Sequence, residues 1–159
     1  MWNLCVTGAD PPKHLTTYEN WQLNQQKLAW QKGFLDYTNA TVSQTGTGRP
    51  IDGIIMPVAP WASCPHDMND HVGYTSLLNL ADRPCLTFPV TVVDPAKDGE
   101  QKLANAFDEV DQEYWDRYDP ERWAGMPVNL QLVGKRLQDE EVLGLGHVLI
   151  EAGVTAPVA

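Results

Sequence analysis

The sequence has little cysteine, few basic residues and no long apolar run, and each shortage excludes a class of protein. Its three cysteines, Cys5, Cys64 and Cys85, are an odd number at wide, unpatterned spacing. Such a set is typical of reduced thiols in the cytosol rather than of a disulfide framework. We therefore expect a cytoplasmic protein.

Basic residues are outnumbered, at 11 against 21 acidic residues, which gives a formal net charge of −10. A chain this acidic repels phosphate backbones and anionic lipid surfaces, and its lysines and arginines form no cluster that would act as a local exception. No run of about 18 apolar residues occurs, and the first residues lack the basic and apolar regions of a signal peptide. We expect neither nucleic acid nor a membrane as a partner.

What the chain does contain is typical of a folded protein. Hydrophobic residues make up 43% and charged residues 20% of the 159 positions, which excludes an intrinsically disordered composition. Thr16 and Glu19 have the spacing of a capping box, and apolar side chains recur after them at helical spacing. Pro84 prevents the continuation of a second helix, and three acidic residues precede a third. Helices are thus predicted at residues 16–38, 74–81 and 139–150.

Three apolar segments predict strands, at residues 54–56, 86–93 and 128–132. The first is wholly apolar, as in a buried strand, whereas the third alternates apolar and polar residues, as in a half-buried strand. Pro89 cannot donate a ladder hydrogen bond, so the second strand should place it at an edge or a bulge. The acidic stretch at residues 94–124 is predicted to be turn-rich. The order helix, strand, helix, strand, strand, helix predicts an α/β class.

Half of the net charge lies in one window. Residues 108–123 contain seven acidic and two basic side chains. Paired carboxylates can catalyse glycoside hydrolysis, but seven of them interleaved with tyrosine and tryptophan are more typical of a solvated, partly packed surface insertion.

One polar cluster contains possible metal ligands, namely Cys64, His66, Asp70 and His71. The two histidines are five residues apart, which does not place them on one helical face, and no distant Cys-x-x-Cys or His-x-x-x-His pair completes a set. A polar loop is the preferred interpretation, and a small metal protein stays open as a weaker alternative.

The serines supply no recognisable nucleophile. Ser43, Ser63 and Ser76 are the three serines of the chain, and none lies in a Gly-x-Ser-x-Gly turn or a Gly/Ser-rich loop that would form an oxyanion hole. Local chemistry therefore predicts no catalytic residue, no cofactor and no resident metal.

Three segments taken together resemble the C-terminal part of the amidase signature enzymes, especially the fungal acetamidase or general amidase branch. Residues 51–60 resemble the family's strand and its "P-x-x-P" loop. Residues 73–91 resemble the "Y-T-x-x-x-N-L" helix and the "P-V" strand that follows it. Residues 125–137 resemble the "G-x-P-V-x-L-Q-L-V-G" strand. The likeness extends over roughly residues 16–152.

The resemblance implies a mixed β-sheet flanked by helices, in proteins several times longer than this chain. It also implies acyl-enzyme chemistry by a serine nucleophile, a bridging serine and a lysine, all in a part of the family that no position here matches; Lys32 and Lys135 lack the lysine's surrounding pattern. We expect residues 1–159 to be a single, incomplete C-terminal segment with an acidic insertion at about 94–124. Unpaired strand edges should make it fold poorly alone.

The resemblance also implies a place for four residues in the wall of a substrate channel: Met56, Trp61, Tyr74 and Thr75. The expected function is that of the C-terminal part of an amidase that hydrolyses the C–N bond of small carboxylic amides, inactive by itself. A homo-oligomer is left open. The alternative function is that of a truncated, non-enzymatic remnant with a structural or interaction role.

Overall fold

The computed structural model describes residues 14–63, 66, 68–69, 71–99 and 105–156. They form four α-helices, three β-strands and a short 3₁₀ turn at Thr41–Ser43, so the α/β prediction is confirmed. The predicted elements all occur, with bounds that differ by a few residues. In chain order they are α1 (Thr17–Ala40), β1 (Ile54–Pro57), α2 (Gly73–Ala81), β2 (Cys85–Val92), α3 (Glu109–Arg117), β3 (Pro127–Val133) and α4 (Asp139–Glu151).

The first helix begins at the predicted capping box. The Glu19 backbone N–H donates to Thr16 Oγ1 at 3.2 Å, and the Thr16 N–H donates to Glu19 Oε2 at 2.8 Å. Two amide groups that lack a partner within the helix are thereby satisfied, which fixes where the helix starts.

The strands form one antiparallel sheet in the order β1-β3-β2. Since both pairings are antiparallel, the parallel strands that a mixed sheet requires are not among the three described. The ladder between β2 and β3 shifts register between Pro89 and Thr91. β2 is also an outer strand of the sheet. Pro89 therefore lies both beside a register shift and on an edge strand, which confirms the prediction of an edge or bulge position.

Two predictions about burial are wrong, for the same topological reason. β3 was predicted to be half-buried, but it is the central strand, and Gln131, Leu132 and Val133 are all buried. The polar Gln131 is tolerated inside because its Nε2 donates to the Pro57 carbonyl at 2.8 Å. Conversely, β1 was predicted to be buried, but it is an outer strand, and Ile55 is 49% exposed.

The acidic stretch also differs from the prediction, because it contains a helix. α3 begins after Asp108, whose side chain accepts a hydrogen bond from the Asp111 N–H at 2.9 Å. Glu109 and Asp111 lie in its first turn and Arg117 in its last, each where the helix dipole favours that charge. The many acidic residues led to the prediction of turns, but the cap at Asp108 and the placement of the charges stabilise a helix.

The hydrophobic core lies between the sheet and α4. Its buried centre is Phe88, Leu132 and Val142, and the side chains packed around it are Leu86, Val90, Leu130, Leu145 and Leu149. The helix approaches the sheet closely at two glycines. A Cβ at Gly134 would lie 2.0 Å from Val142 Cγ2, and one at Gly146 would lie 2.2 Å from Leu86 Cδ2.

The segment after α2 connects the remaining helices to this core. The Arg83 guanidinium lies over the Phe34 ring of α1 at 5.0 Å, and its Nη1 donates to the Gly134 carbonyl at 3.4 Å. Partial burial there lowers the pKa of Arg83 from its ordinary value. The Gln31 side chain adds a 2.7 Å hydrogen bond to the Leu80 carbonyl. One arginine thus contacts both α1 and the end of the central strand.

No helix within the described residues is both long enough and apolar enough to cross a bilayer. Cys85, on the outer strand β2, is a free and exposed thiol. Cys5 and Cys64 lie outside the described residues.

Two glycines of α4 provide a matched test of the core packing. Gly144→Ala should stabilise the protein by up to about 1 kcal/mol, because its Cβ would meet nothing within 4 Å and alanine favours the helix. Gly146→Ala gains the same propensity but forces Leu86 aside, and overpacking of this kind costs roughly 1–3 kcal/mol. We expect Gly146→Ala to lower the urea concentration at which thermolysin cleaves the chain, and Gly144→Ala to raise it. A rise for both variants would show that Leu86 is not held against α4.

Candidate functional site

Four aromatic side chains, two from loops and one each from α2 and α3, pack against one another: Trp61, His71, Tyr74 and Tyr114. We refer to them as the aromatic cluster. The ring centroids of Trp61 and Tyr114 are 4.7 Å apart at an interplanar angle of 84°, an edge-to-face contact. His71 lies beside the other three rings, with its centroid 5.4 Å from that of Tyr114, 5.5 Å from that of Tyr74 and 6.0 Å from that of Trp61. His71 is therefore the centre of the cluster.

A polar contact adds to the ring packing. His71 Nδ1 and the Tyr114 hydroxyl are 3.1 Å apart, within hydrogen-bond distance, and the imidazole tautomer decides which group donates. Gly73 leaves room for the imidazole, because a Cβ there would lie 2.8 Å from His71 Nε2. The contact connects α3 to the segment before α2, two regions more than 40 residues apart.

Each ring is positioned by a neighbouring element. Trp61 lies in the loop after β1, and two hydrogen bonds attach this loop to β3. The Ser63 N–H donates to the Pro127 carbonyl at 2.9 Å, and Asn129 Nδ2 donates to Ser63 Oγ at 3.0 Å. Tyr74 belongs to the first turn of α2 and Tyr114 to the middle of α3. The rings thus meet because the sheet and two helices bring them together.

A small depression lies beside the cluster. Arg117 forms part of its wall; its guanidinium pairs with Glu113 at 2.5 Å and lies over the Tyr114 ring at 5.6 Å. The Tyr118 hydroxyl donates to the Asp98 carbonyl at 3.0 Å, and desolvation, followed by the Asp98 charge, raises the pKa of Tyr118. The residues that line the depression are Trp61, Met68, Tyr114, Arg117, Tyr118 and Trp123.

The four residues predicted for a channel wall do not all lie together. Trp61 and Tyr74 both belong to the aromatic cluster. Met56 is half-buried in β1, where it pairs with Gln131 of β3. Thr75 is exposed, and its hydroxyl donates to the Val72 carbonyl at 3.2 Å. No contact of these residues with substrate is described, so their place in a channel wall stays a prediction.

The hydroxyls of the three serines have local structural partners. Ser43 Oγ donates to the Ala40 carbonyl at 3.2 Å, and Ser76 Oγ donates to the Gly73 carbonyl at 3.3 Å. Ser63 Oγ accepts from Asn129. None of these contacts is to a basic group that would remove the hydroxyl proton.

Of the four possible metal ligands, only His66 and His71 lie within the described residues. Cys64 and Asp70 lie outside the described residues. His66 is exposed, and His71 takes part in the aromatic cluster. Across the described ranges, no three histidine, cysteine, aspartate or glutamate residues are grouped so as to hold a metal ion.

The Amidase family profile matches residues 12–143, which include the three strands and the whole aromatic cluster. The chain belongs to the Amidase family. It is 37% identical over 137 residues to Amidase 1 of Gibberella moniliformis, a match that covers 84% of this chain and 25% of that protein. It is 32% identical over 135 residues to the acetamidase of Emericella nidulans, covering 85% and 24% of the two chains.

A solved structure of the same family supports the fold. The chain is similar to fatty acid amide hydrolase with a TM-score of 0.68 and 30% identity, over 87% of this chain and 24% of that chain. The α/β fold of an amidase is therefore confirmed. The chain spans about a quarter of the length of the amidases that it matches.

Sequence reasoning missed three residues of this site. His71 was considered as a metal ligand, and Tyr114 and Trp123 as aromatics within an acidic insertion. Tyr114 lies four residues before Tyr118, and both line the depression beside Trp123. The recurrence of aromatic residues among the charges of residues 108–123 was the available signal that part of this stretch is packed.

The contact between His71 and Tyr114 predicts how firmly α3 is held. Tyr114→Phe should lower the free energy of local opening by about 1 kcal/mol, since it removes one hydrogen bond and keeps the ring. Tyr114→Ala should lower it further, because the packing against Trp61 is also lost. Hydrogen exchange of residues 109–117, followed by mass spectrometry, measures both effects.

The matched control for this experiment is Phe107→Ala, since Phe107 is an aromatic residue in the same segment but is 93% exposed. We expect it to leave exchange in α3 unchanged. Equal exchange in the wild type and in Tyr114→Ala would contradict a cluster that anchors the helix.

Proposed function

We propose that this chain forms the C-terminal part of an amidase that hydrolyses the C–N bond of small carboxylic amides. The observation that carries the proposal is the Amidase family match over residues 12–143. The names of two relatives, Amidase 1 and the fungal acetamidase, support amides as the class of substrate. The chain itself supplies the sheet, α4 and the aromatic cluster.

The reaction that the family resemblance implies is serine acyl transfer. A serine oxygen attacks the amide carbon, a base accepts its proton, and the leaving nitrogen takes a proton as the C–N bond breaks. Water then hydrolyses the acyl-enzyme. Ser43, Ser63 and Ser76 each have structural partners rather than a base, so we infer that the 159 residues are inactive by themselves.

The role we assign to this chain is to shape the substrate site. Trp61 and Tyr74 present aromatic surface held by His71 and Tyr114. Aromatic walls exclude water and select the acyl group by its size, and because the rings pack against one another they do so without rearrangement. The chain would thus govern which amide reacts, while the nucleophile comes from elsewhere in the enzyme.

A chimera tests this role. Residues 12–143 of this chain replace the matched quarter of Amidase 1, and ammonia release is measured with acetamide and with longer or aromatic amides. We expect an active enzyme in which Trp61→Ala and Tyr74→Ala each change the ratio of kcat/KM between small and large amides by roughly tenfold or more, the scale of a pocket contact.

The control for the chimera is Tyr37→Ala, because Tyr37 is 72% exposed on α1 and far in sequence from the cluster. It should leave the ratio unchanged. If the chimera is active and all three variants keep the parental ratio, Trp61 and Tyr74 do not line the substrate channel.

A further inference from the structure

The long helix α1 has two different faces, and only one of them is packed. Trp30 and Phe34 stack with ring centroids 5.6 Å apart, and Phe34 lies under the Arg83 guanidinium. On the same side, Gln31 bonds to the end of α2, and Thr38 is 6% exposed. This face holds α1 against the rest of the protein.

A second row of apolar side chains runs along another face of α1 and into the turn that follows it. Its members are Trp21, Leu28, Leu35 and Val42, which we call the α1 stripe. They are 65%, 58%, 45% and 42% exposed. Seven residues are close to two helical turns, so the three members within the helix lie along one line, about 10 Å apart.

The α1 stripe differs from ordinary scattered surface hydrophobics. Single exposed apolar residues need no explanation, but a row of large ones along one line is typical of an interface. Between its members, Asn24 and Gln25 are uncharged, and Lys32 is paired with Asp36 of the same helix. A solvated face on so acidic a chain would be expected to carry more charge.

The relatives of this chain indicate what covers the α1 stripe. The Amidase family match at residues 12–143 includes all four members, and the separate match to Amidase 1 covers only 25% of that protein. The other three quarters of such a domain must pack against this quarter somewhere, and apolar helix faces are what domains bury. A second copy of this chain is disfavoured, because each copy carries a net charge of −10.

We infer that the α1 stripe is the surface on which this chain docks against the remaining, nucleophile-bearing part of an amidase domain. The inference rests on the proposed function, since it takes its partner from there. The partner surface should be apolar and elongated, and it should contact Trp21 and Leu28 most extensively because these two are the most exposed members of the stripe.

Cysteine accessibility tests the docking directly. Leu28→Cys is introduced into the chain alone and into the Amidase 1 chimera, and labelling by a bulky maleimide is read at that site by mass spectrometry. We expect fast labelling in the chain alone and labelling slower by about tenfold or more in the chimera, as for a buried interface position. Equal labelling rates in the two proteins would overturn the inference.

Two reference positions make this comparison interpretable. Tyr37→Cys lies off the stripe at a 72% exposed position, and Ala81→Cys replaces a residue that is 4% exposed. Tyr37→Cys should label quickly in both proteins and Ala81→Cys slowly in both, which reports that the chimera is folded. Protection of Leu28→Cys in the chain alone that grows with its concentration would instead show self-association, and this also overturns the inference.

A second pair of variants gives an independent result if the cysteine variants fold badly. Leu28→Asp should reduce the soluble yield of the chimera severalfold, whereas Tyr37→Asp should not. Ammonia release from the same chimera reports separately on the proposed function. Slow labelling of Leu28→Cys in a chimera that releases no ammonia would count against the amidase proposal alone. Ammonia release from a chimera in which Leu28→Cys still labels quickly would count against the docking surface alone.

Discussion

The pairing of β3 with both of its neighbours is the constraint on which the rest of the structure depends. Its residues Gln131 to Val133 are buried because strands flank them on both sides and α4 covers the sheet. The loop that carries Trp61 bonds back to β3 at Pro127 and Asn129. At the other end, the Gly134 N–H donates to the Pro84 carbonyl, which connects the strand to the segment after α2. Strand pairing therefore sets where the aromatic cluster forms.

The acidic insertion has a different role from the one its charge suggests. Its carboxylates mostly face solvent, and two of them form ordinary helix-cap and i,i+4 contacts at Asp108 and Glu113. The part that matters for the site is aromatic, because Tyr114 contacts both Trp61 and His71. An element whose charge keeps it at the surface can thus still supply a half-buried aromatic side chain to the cluster.

Much of the fold was predictable because its signals are local. The capping box at Thr16, the bulge at Pro89 and the acidic start of α4 each depend on a few neighbouring residues. Which strand is central was not predictable, since it depends on pairing between distant segments, and Gln131 therefore resembled a solvent-facing residue. The site was hidden for the same reason: His71 and Tyr114 meet across 43 positions of sequence. The family resemblance was detectable because each of its three motifs is a short continuous segment and the three occur in the family's order.

We propose above that this chain shapes an amidase site without carrying its nucleophile. The most direct test is to treat the purified 159-residue chain with a serine-reactive fluorophosphonate and to measure its intact mass alongside ammonia release from acetamide. We expect no adduct and no amide hydrolysis, since the three serine hydroxyls have structural partners rather than a base. One adduct per chain, formed together with the loss of a measurable amidase rate, would contradict it.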